Sequence, residues 1–152
     1  MARGSPDAFA VVLLNRQRRR RVSTARLRRV LHGAARALGV KGEVALVLTG
    51  DAPVRRLNAR YRGKDKPTDV LSFPGPGGEP GLGDIVISVD TAARNAEYFG
   101  RTLAQELDLL AVHGFLHVLG HDHETDDGTM DRLEARLRRR LLSPPRRAGA
   151  RP

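Results

Sequence analysis

Apolar positions recur along this chain with two periods, and the switches between them mark the predicted elements. Ala8–Leu14 is a valine-containing run of strand length, and the NRQRRRR stretch after it reads as a solvated connection. Leu27, Val30, Leu31, Ala34 and Leu38 then repeat at helical spacing, with Ser23 or Thr24 as the cap and Gly39 as the stop. EVALVLTG reads as a buried strand, and Asp51 can cap a helix running to about Tyr61, with Pro53 in its first turn. VLSFP (70–74) and GDIVISV (83–89) read as strands facing each other across the Gly/Pro-rich PGPGGEPGL. Asp90 or Thr91 opens a helix to about Tyr98, and Thr102 caps a longer one carrying Leu103, Leu107, Leu110 and Ala111. A last amphipathic helix, about Asp127 to Leu142, places Met130, Leu133, Leu137 and Leu141 on one face. The pattern predicts an α+β fold of mixed α/β character. It is a single domain over residues 1–142, with a sheet of about four strands packed with about five helices. The tail SPPRRAGARP, 143–152, is expected to be a disordered basic extension.

The long helical segment capped by Thr102 carries the chemistry. HGFLHVLGHDH, His113 to His123, holds four of the five histidines of the chain. His113 and His117 are four residues apart, so a helix presents both imidazoles on one face to one ion. Gly120 follows where a helix can end in a left-handed turn, and the reversal can bring His123 back to the same point. Three nitrogen ligands leave a fourth position open, the arrangement of a catalytic zinc. His121 competes with His123 for the third place; His123 is preferred, with His121 as a supporting or substrate-side group. Asp122 can orient an imidazole by accepting its free N–H. The spacing matches the metzincin peptidases, but the general-base glutamate of that pattern is replaced by Gly114.

Composition narrows the rest. The 152 residues include no cysteine, so disulfides and thiolate metal sites are excluded and a zinc ion, one per chain, must take His and carboxylate ligands. No apolar run approaches the roughly 20 residues of a membrane span. AFAVVLL is too short for a signal segment, so the chain is expected in the cytoplasm, away from membranes. The formal charge is +10, from 27 basic and 17 acidic residues, which fits a nucleic-acid partner. Only three of the basic residues are lysines, a bias that high genomic GC content also produces, so charge supports this reading without carrying it.

HGFLHVLGHDH, together with LNARYRGKDKPTDVLSFP (57–74) and GDIVISVDTA (83–92), resembles the YbeY family of bacterial ribosomal RNA maturation factors, described as metal-dependent endoribonucleases. The resemblance runs from about Glu43 to Leu142, with His121 standing where a tyrosine is common. It implies zinc at His113, His117 and His123, and a functional role for Arg62. It also implies single-strand cleavage in maturation of the small-subunit ribosomal RNA 3′ end and in ribosome quality control. The implied partners are RNA, the small ribosomal subunit and assembly factors including a GTPase; no DNA specificity is expected.

The missing glutamate agrees with that. Peptide hydrolysis needs a group to carry a proton to the leaving amine, and Gly114 cannot. Phosphodiester cleavage is governed by negative charge on phosphoryl oxygens, which a metal and an arginine fork can stabilise. Taken with the resemblance, Arg62 and His113 are the candidate catalytic residues, and Arg62, Lys64 and Lys66 the candidate phosphate contacts. Asp69 is a candidate base or a support for Arg62. The rival readings are a ribosome-assembly or RNA-binding factor with a mainly structural metal and, more remotely, a zinc peptidase.

Overall fold

The computed structural model describes residues 8–75, 81–121 and 128–142. Four strands, β1 (Phe9–Asn15), β2 (Gly42–Thr49), β3 (Val70–Pro74) and β4 (Gly81–Ser88), form one sheet in the order β1-β2-β4-β3. β1, β2 and β4 run parallel, and β3 is an antiparallel edge strand paired to β4 from Val70↔Ile87 to Pro74↔Gly83. Five helices complete the fold: α1 (Thr24–Leu38), α2 (Asp51–Arg62), α3 (Val89–Phe99), α4 (Leu103–Val118) and α5 (Thr129–Leu141). This is the expected single α+β domain, with helices covering both faces of a mixed sheet.

Strand periodicity divides the core between the two faces. Val44, Leu46 and Leu48 of β2, with Ile85 and Ile87 of β4, join α1, α4 and α5 in the main cluster. The alternate positions Val47, Val86, Leu71 and Phe73 pack against Val54 and Leu57 of α2. α4 is the central helix, buried on most of its circumference from Leu107 to Val118. Two carboxylates on its buried surface are paired: Glu106 with Arg101 at 2.8 Å and Asp108 with Arg26 at 2.6 Å. Burial pushes the Asp108 carboxyl above its ordinary value, against the pull of Arg26.

The caps differ in detail from those expected. Ser23 caps α1, and Thr102 with Gln105 forms a full capping box on α4. At α2 the cap position is Gly50, not Asp51, and Gly50 has no side chain to offer. Asp90 of α3 supplies the acceptor instead, taking the Asp51 N–H at 3.0 Å. A side chain at position 50 would place its Cβ 2.9 Å from that same carboxylate, which is why a glycine stands there. Asp51 is thereby left free to accept from the hydroxyls of Ser88 and Thr91, at 2.6 and 2.7 Å, and from Arg94 at 2.8 Å. α3 is in turn capped by Ser88, two residues before Asp90 and three before Thr91, the caps expected. A strand end, two helix starts and a buried hydroxyl are thus tied through one carboxylate.

Partial burial raises the Asp51 carboxyl, but the bonds from Ser88, Thr91 and Arg94 outweigh it and hold the group below its ordinary value. A depressed folded value means that its stabilisation is present above the unfolded value near 3.9 and is lost as pH falls through the folded one. Asp51→Asn should therefore lower stability at neutral pH by about 1–2 kcal/mol. It should also flatten the loss of stability as pH falls below about 4. Denaturant unfolding at a series of pH values checks both; parallel curves for variant and wild type would count against this role.

Candidate metal centre

The second half of α4 lies against the sheet at unusually short range, because position 114 is glycine. A Cβ there would come 2.7 Å from Cγ2 of Ile85 and 3.2 Å from both Oγ of Ser72 and Cγ2 of Val70. Ser72 uses the close approach to donate its hydroxyl to the Gly114 carbonyl at 3.1 Å. Position 114 therefore faces β3 and β4, not the histidines. The absent glutamate is a packing requirement of this fold, and a carboxylate side chain has no room there.

One residue earlier, His113 turns to the open side. Its Nε2 lies 3.1 Å from Nε2 of His117, with the rings 4.6 Å apart and inclined at 66°. Two nitrogens on one tetrahedral zinc at about 2.0–2.1 Å would stand roughly 3.3 Å apart, so the pair fits such an ion with little adjustment. On the other side of the ring, Nδ1 of His113 lies 2.8 Å from Oε2 of Glu134 on α5. Nδ1–H donating to the carboxylate leaves the Nε2 lone pair facing His117, which is how an outer carboxylate orients a metal-ligating histidine. The site sits at a mouth, with the His113 side chain 31% exposed and Glu134 16%. A carboxylate–imidazole pair of this kind fits a divalent cation, and without one the 3.1 Å separation is that of an N–H···N hydrogen bond between the two rings.

The end of α4 follows its expected course. Leu119 closes the helix, Gly120 takes the left-handed conformation at φ 96°, and the His121 N–H reaches back to the Leu116 carbonyl at 3.0 Å. His121 is half-buried directly after this reversal. His123 and Asp122 lie outside the described residues. Among the described residues no group of three or more ligating side chains occurs, so the described part of the centre is His113 and His117 with Glu134 behind.

Glu134 did not enter the reading of the sequence. Its signal was there: it stands four residues after Met130 and three before Leu137, both buried, so a carboxylate flanks the apolar stripe of α5. A charged residue at the border of a buried face asks for a partner, and the helix pattern alone does not name His113.

The phosphate-contact candidates lie on the other side of edge strand β3. Tyr61, near the end of α2, packs edge-on against Phe73 with centroids 5.4 Å apart, while the neighbouring Ser72 points to α4. Arg62 thus ends α2 on the face of β3 opposite to α4, and it is exposed. Gly63 closes the helix at φ 69°, and the buried Asn58 shapes the turn beyond: its Nδ2 donates to the Lys66 carbonyl at 2.8 Å, and its carbonyl accepts from the Lys64 N–H. Lys64 and Lys66 are exposed on this braced turn, beside an Arg55–Asp65 pair at 2.8 Å. Asp69 does not reach Arg62 by any described contact. Its carboxylate accepts from the Val70 N–H at 2.8 Å and from Asn95 at 3.1 Å, which ties the start of β3 to α3.

A family model for "Endoribonuclease YbeY" matches residues 13–142. The chain belongs to the YbeY family. The match reaches back through α1, well before the point at which the quoted motifs begin. Proteins named Endoribonuclease YbeY from Moorella thermoacetica and Geobacter metallireducens are similar to this chain. The first is 53% identical over 124 residues, covering 72% of this chain and 79% of the relative. The second is 44% identical over 136 residues, covering 84% and 91%. Among solved structures, the solution structure of TM1509 from Thermotoga maritima superposes with a TM-score of 0.58 at 25% identity, covering 84% of this chain and 85% of that one.

Two variants test the centre. Gly114→Ala gains roughly 1 kcal/mol of helix propensity but forces a β-branched core side chain to move, at about 1–3 kcal/mol. Net destabilisation is expected, read as a lower midpoint of thermal unfolding, whereas an unchanged or higher midpoint would mean that α4 does not sit this close to the sheet. Glu134→Gln should keep the fold but weaken zinc affinity about 10–100-fold. Competition with a chromophoric chelator measures that, and wild-type affinity in the variant would remove Glu134 from the centre.

Proposed function

We propose that this chain is a zinc-dependent, single-strand-specific endoribonuclease acting in ribosomal RNA maturation and ribosome quality control. Family membership makes it a nuclease, a hydrolase of phosphodiester bonds, with RNA as its substrate. The observation that carries the metal-dependent reading is the convergence of the His113 and His117 Nε2 atoms with Glu134 holding His113 from behind. His113, His117 and His123 would hold one zinc, with His121 as a supporting or substrate-side group and Asp122 as an acceptor that can orient an imidazole. When bound, the ion supplies Lewis-acid stabilisation of a phosphoryl oxygen and a nucleophile at neutral pH.

The remaining work falls to the chain itself. Glu134 keeps the His113 ring in one tautomer and one orientation, so the site is preorganised before substrate arrives. Arg62, Lys64 and Lys66 stand on a turn braced by Asn58 and bind the RNA backbone as it passes over the β3 edge. The guanidinium of Arg62 can take two phosphoryl oxygens at once, and it holds the strand in register with the histidines. The peptidase alternative is disfavoured by the wall of Ile85, Ser72 and Val70 against position 114, which leaves no space for the glutamate that peptide hydrolysis requires. The small ribosomal subunit and its assembly factors, including a GTPase, are the proposed setting, in the cytoplasm. No described helix is long and apolar enough to cross a membrane.

Arg62→Glu should abolish RNA cleavage while leaving bound zinc near one per chain by elemental analysis. His113→Ala should lose zinc and cleavage together while keeping RNA affinity within a few-fold. If His113→Ala instead loses folding and RNA binding along with the metal, the metal is structural and the assembly-factor reading replaces this one.

A further inference from the structure

Several arginines of this fold are held by partners. Arg26 pairs with Asp108, Arg55 with Asp65, Arg94 with Asp51 and Arg101 with Glu106, and Arg28 donates to the Val11 carbonyl. The connection from β1 to α1 is different. It carries Arg16, Arg18, Arg19, Arg20 and Arg21, all exposed. The only carboxylate contact described there is from Arg19 to Asp90, at a loose 3.7 Å with the Arg19 side chain 80% exposed.

The sequence alone suggests a solvated linker, but the backbone is built. Gln17 donates from its backbone and its side chain to Oδ1 of Asn15, and also from its side chain to the Arg20 carbonyl at 2.9 Å. Its Oε1 accepts the Arg20 N–H at 3.0 Å. The Arg16 N–H is held by the Leu48 carbonyl at 2.8 Å. A half-buried glutamine thus folds the connection around itself and turns the guanidiniums outward. Ordering five like charges this closely costs free energy that a flexible linker would avoid, and a polyanion offsets that cost.

The loop is remote from the metal centre. Arg21 shares a small crevice with Leu103, Ala104 and Asp108 in the first half of α4, whereas His113 and His117 occupy the second half. At 1.5 Å per residue the two are about 15 Å apart along the helix. At 3.4 Å per phosphate of a stacked strand, that is between about four and five nucleotides.

We propose that residues 16–21 form a second binding site for the RNA phosphate backbone, which anchors long substrates away from the metal centre. The inference rests on the endoribonuclease reading for the identity of the polyanion. A short oligonucleotide reaches the histidine pair without the loop, and a longer one engages both.

The test compares full-length wild type with the combined variant Arg18→Gln, Arg19→Gln, Arg20→Gln and Arg21→Gln, and with the same four positions changed to Lys. Binding and cleavage of labelled single-stranded RNAs of about 4 and about 20 nucleotides are measured over a salt series, with thermal unfolding as the folding control. The Gln variant should bind the long RNA at least 10-fold more weakly, and the slope of log K against log salt should fall by about 2–3, since each single-strand phosphate contact contributes about 0.7. Its handling of the short RNA should match wild type, and the Lys variant should recover most of the slope. Unchanged long-RNA affinity and slope in a Gln variant that cleaves like wild type would overturn the loop site and leave the proposed function standing. Failure of wild type to bind or cleave either RNA would overturn both. Displacement of long RNA from wild type by polyglutamate as readily as by unlabelled RNA would overturn the assignment to nucleic acid.

Discussion

The contact between Gly114 and the sheet is the constraint on which the rest of this molecule depends. A hydrogen in place of a methyl lets α4 settle against Ile85, Ser72 and Val70, and the Ser72 hydroxyl then satisfies the Gly114 carbonyl. With that depth set, the residues on either side of position 114 have no freedom. Phe115 fills the core against Phe9, and His113 is carried to the opposite side, where α5 brings Glu134. The centre inherits its precision from close packing of a helix on a sheet, the kind of rigid support that a preorganised site needs.

The same geometry explains why a metzincin-like spacing does not make a metzincin-like site. The spacing of His113, His117 and Gly120 reflects helix pitch and helix termination, which any zinc helix must obey. The residue after the first histidine is decided by what that part of the helix packs against. In this fold it meets two strands, and the glutamate is excluded by volume before any chemistry is considered. Proton transfer must then come from elsewhere or matter less, and phosphodiester cleavage tolerates that better than peptide hydrolysis.

Edge strand β3 divides the functional surface. Its alternating side chains serve two layers, Ser72 towards α4 and Phe73 towards Tyr61 of α2, so the histidine pair and the Arg62–Lys64–Lys66 turn are indexed to the same few residues of one strand. Exposed basic charge gathers on the turn after α2 and on the glutamine-braced arginine loop near the first half of α4. The net charge of +10 also draws on exposed arginines of α2 and α5, so these two surfaces belong to a broader basic field.

Local periodicity determined the elements. The strands and helices fall within a few residues of their predicted spans, because alternation and helical repeats record directly which side of each segment is buried. The histidine pair was legible for the same reason, since four residues on a helix are neighbours whatever surrounds them. The sequence alone left open every contact between residues distant along the chain. Asp90 caps a helix 39 residues away, Asp51 gathers Ser88 and Thr91, and Glu134 reaches His113 across 21 positions. Nor could a run of arginines show that one glutamine had folded it. Those pairings depend on the packing of layers, which no local pattern encodes, and they decide which charges are spent inside the fold and which remain for the substrate.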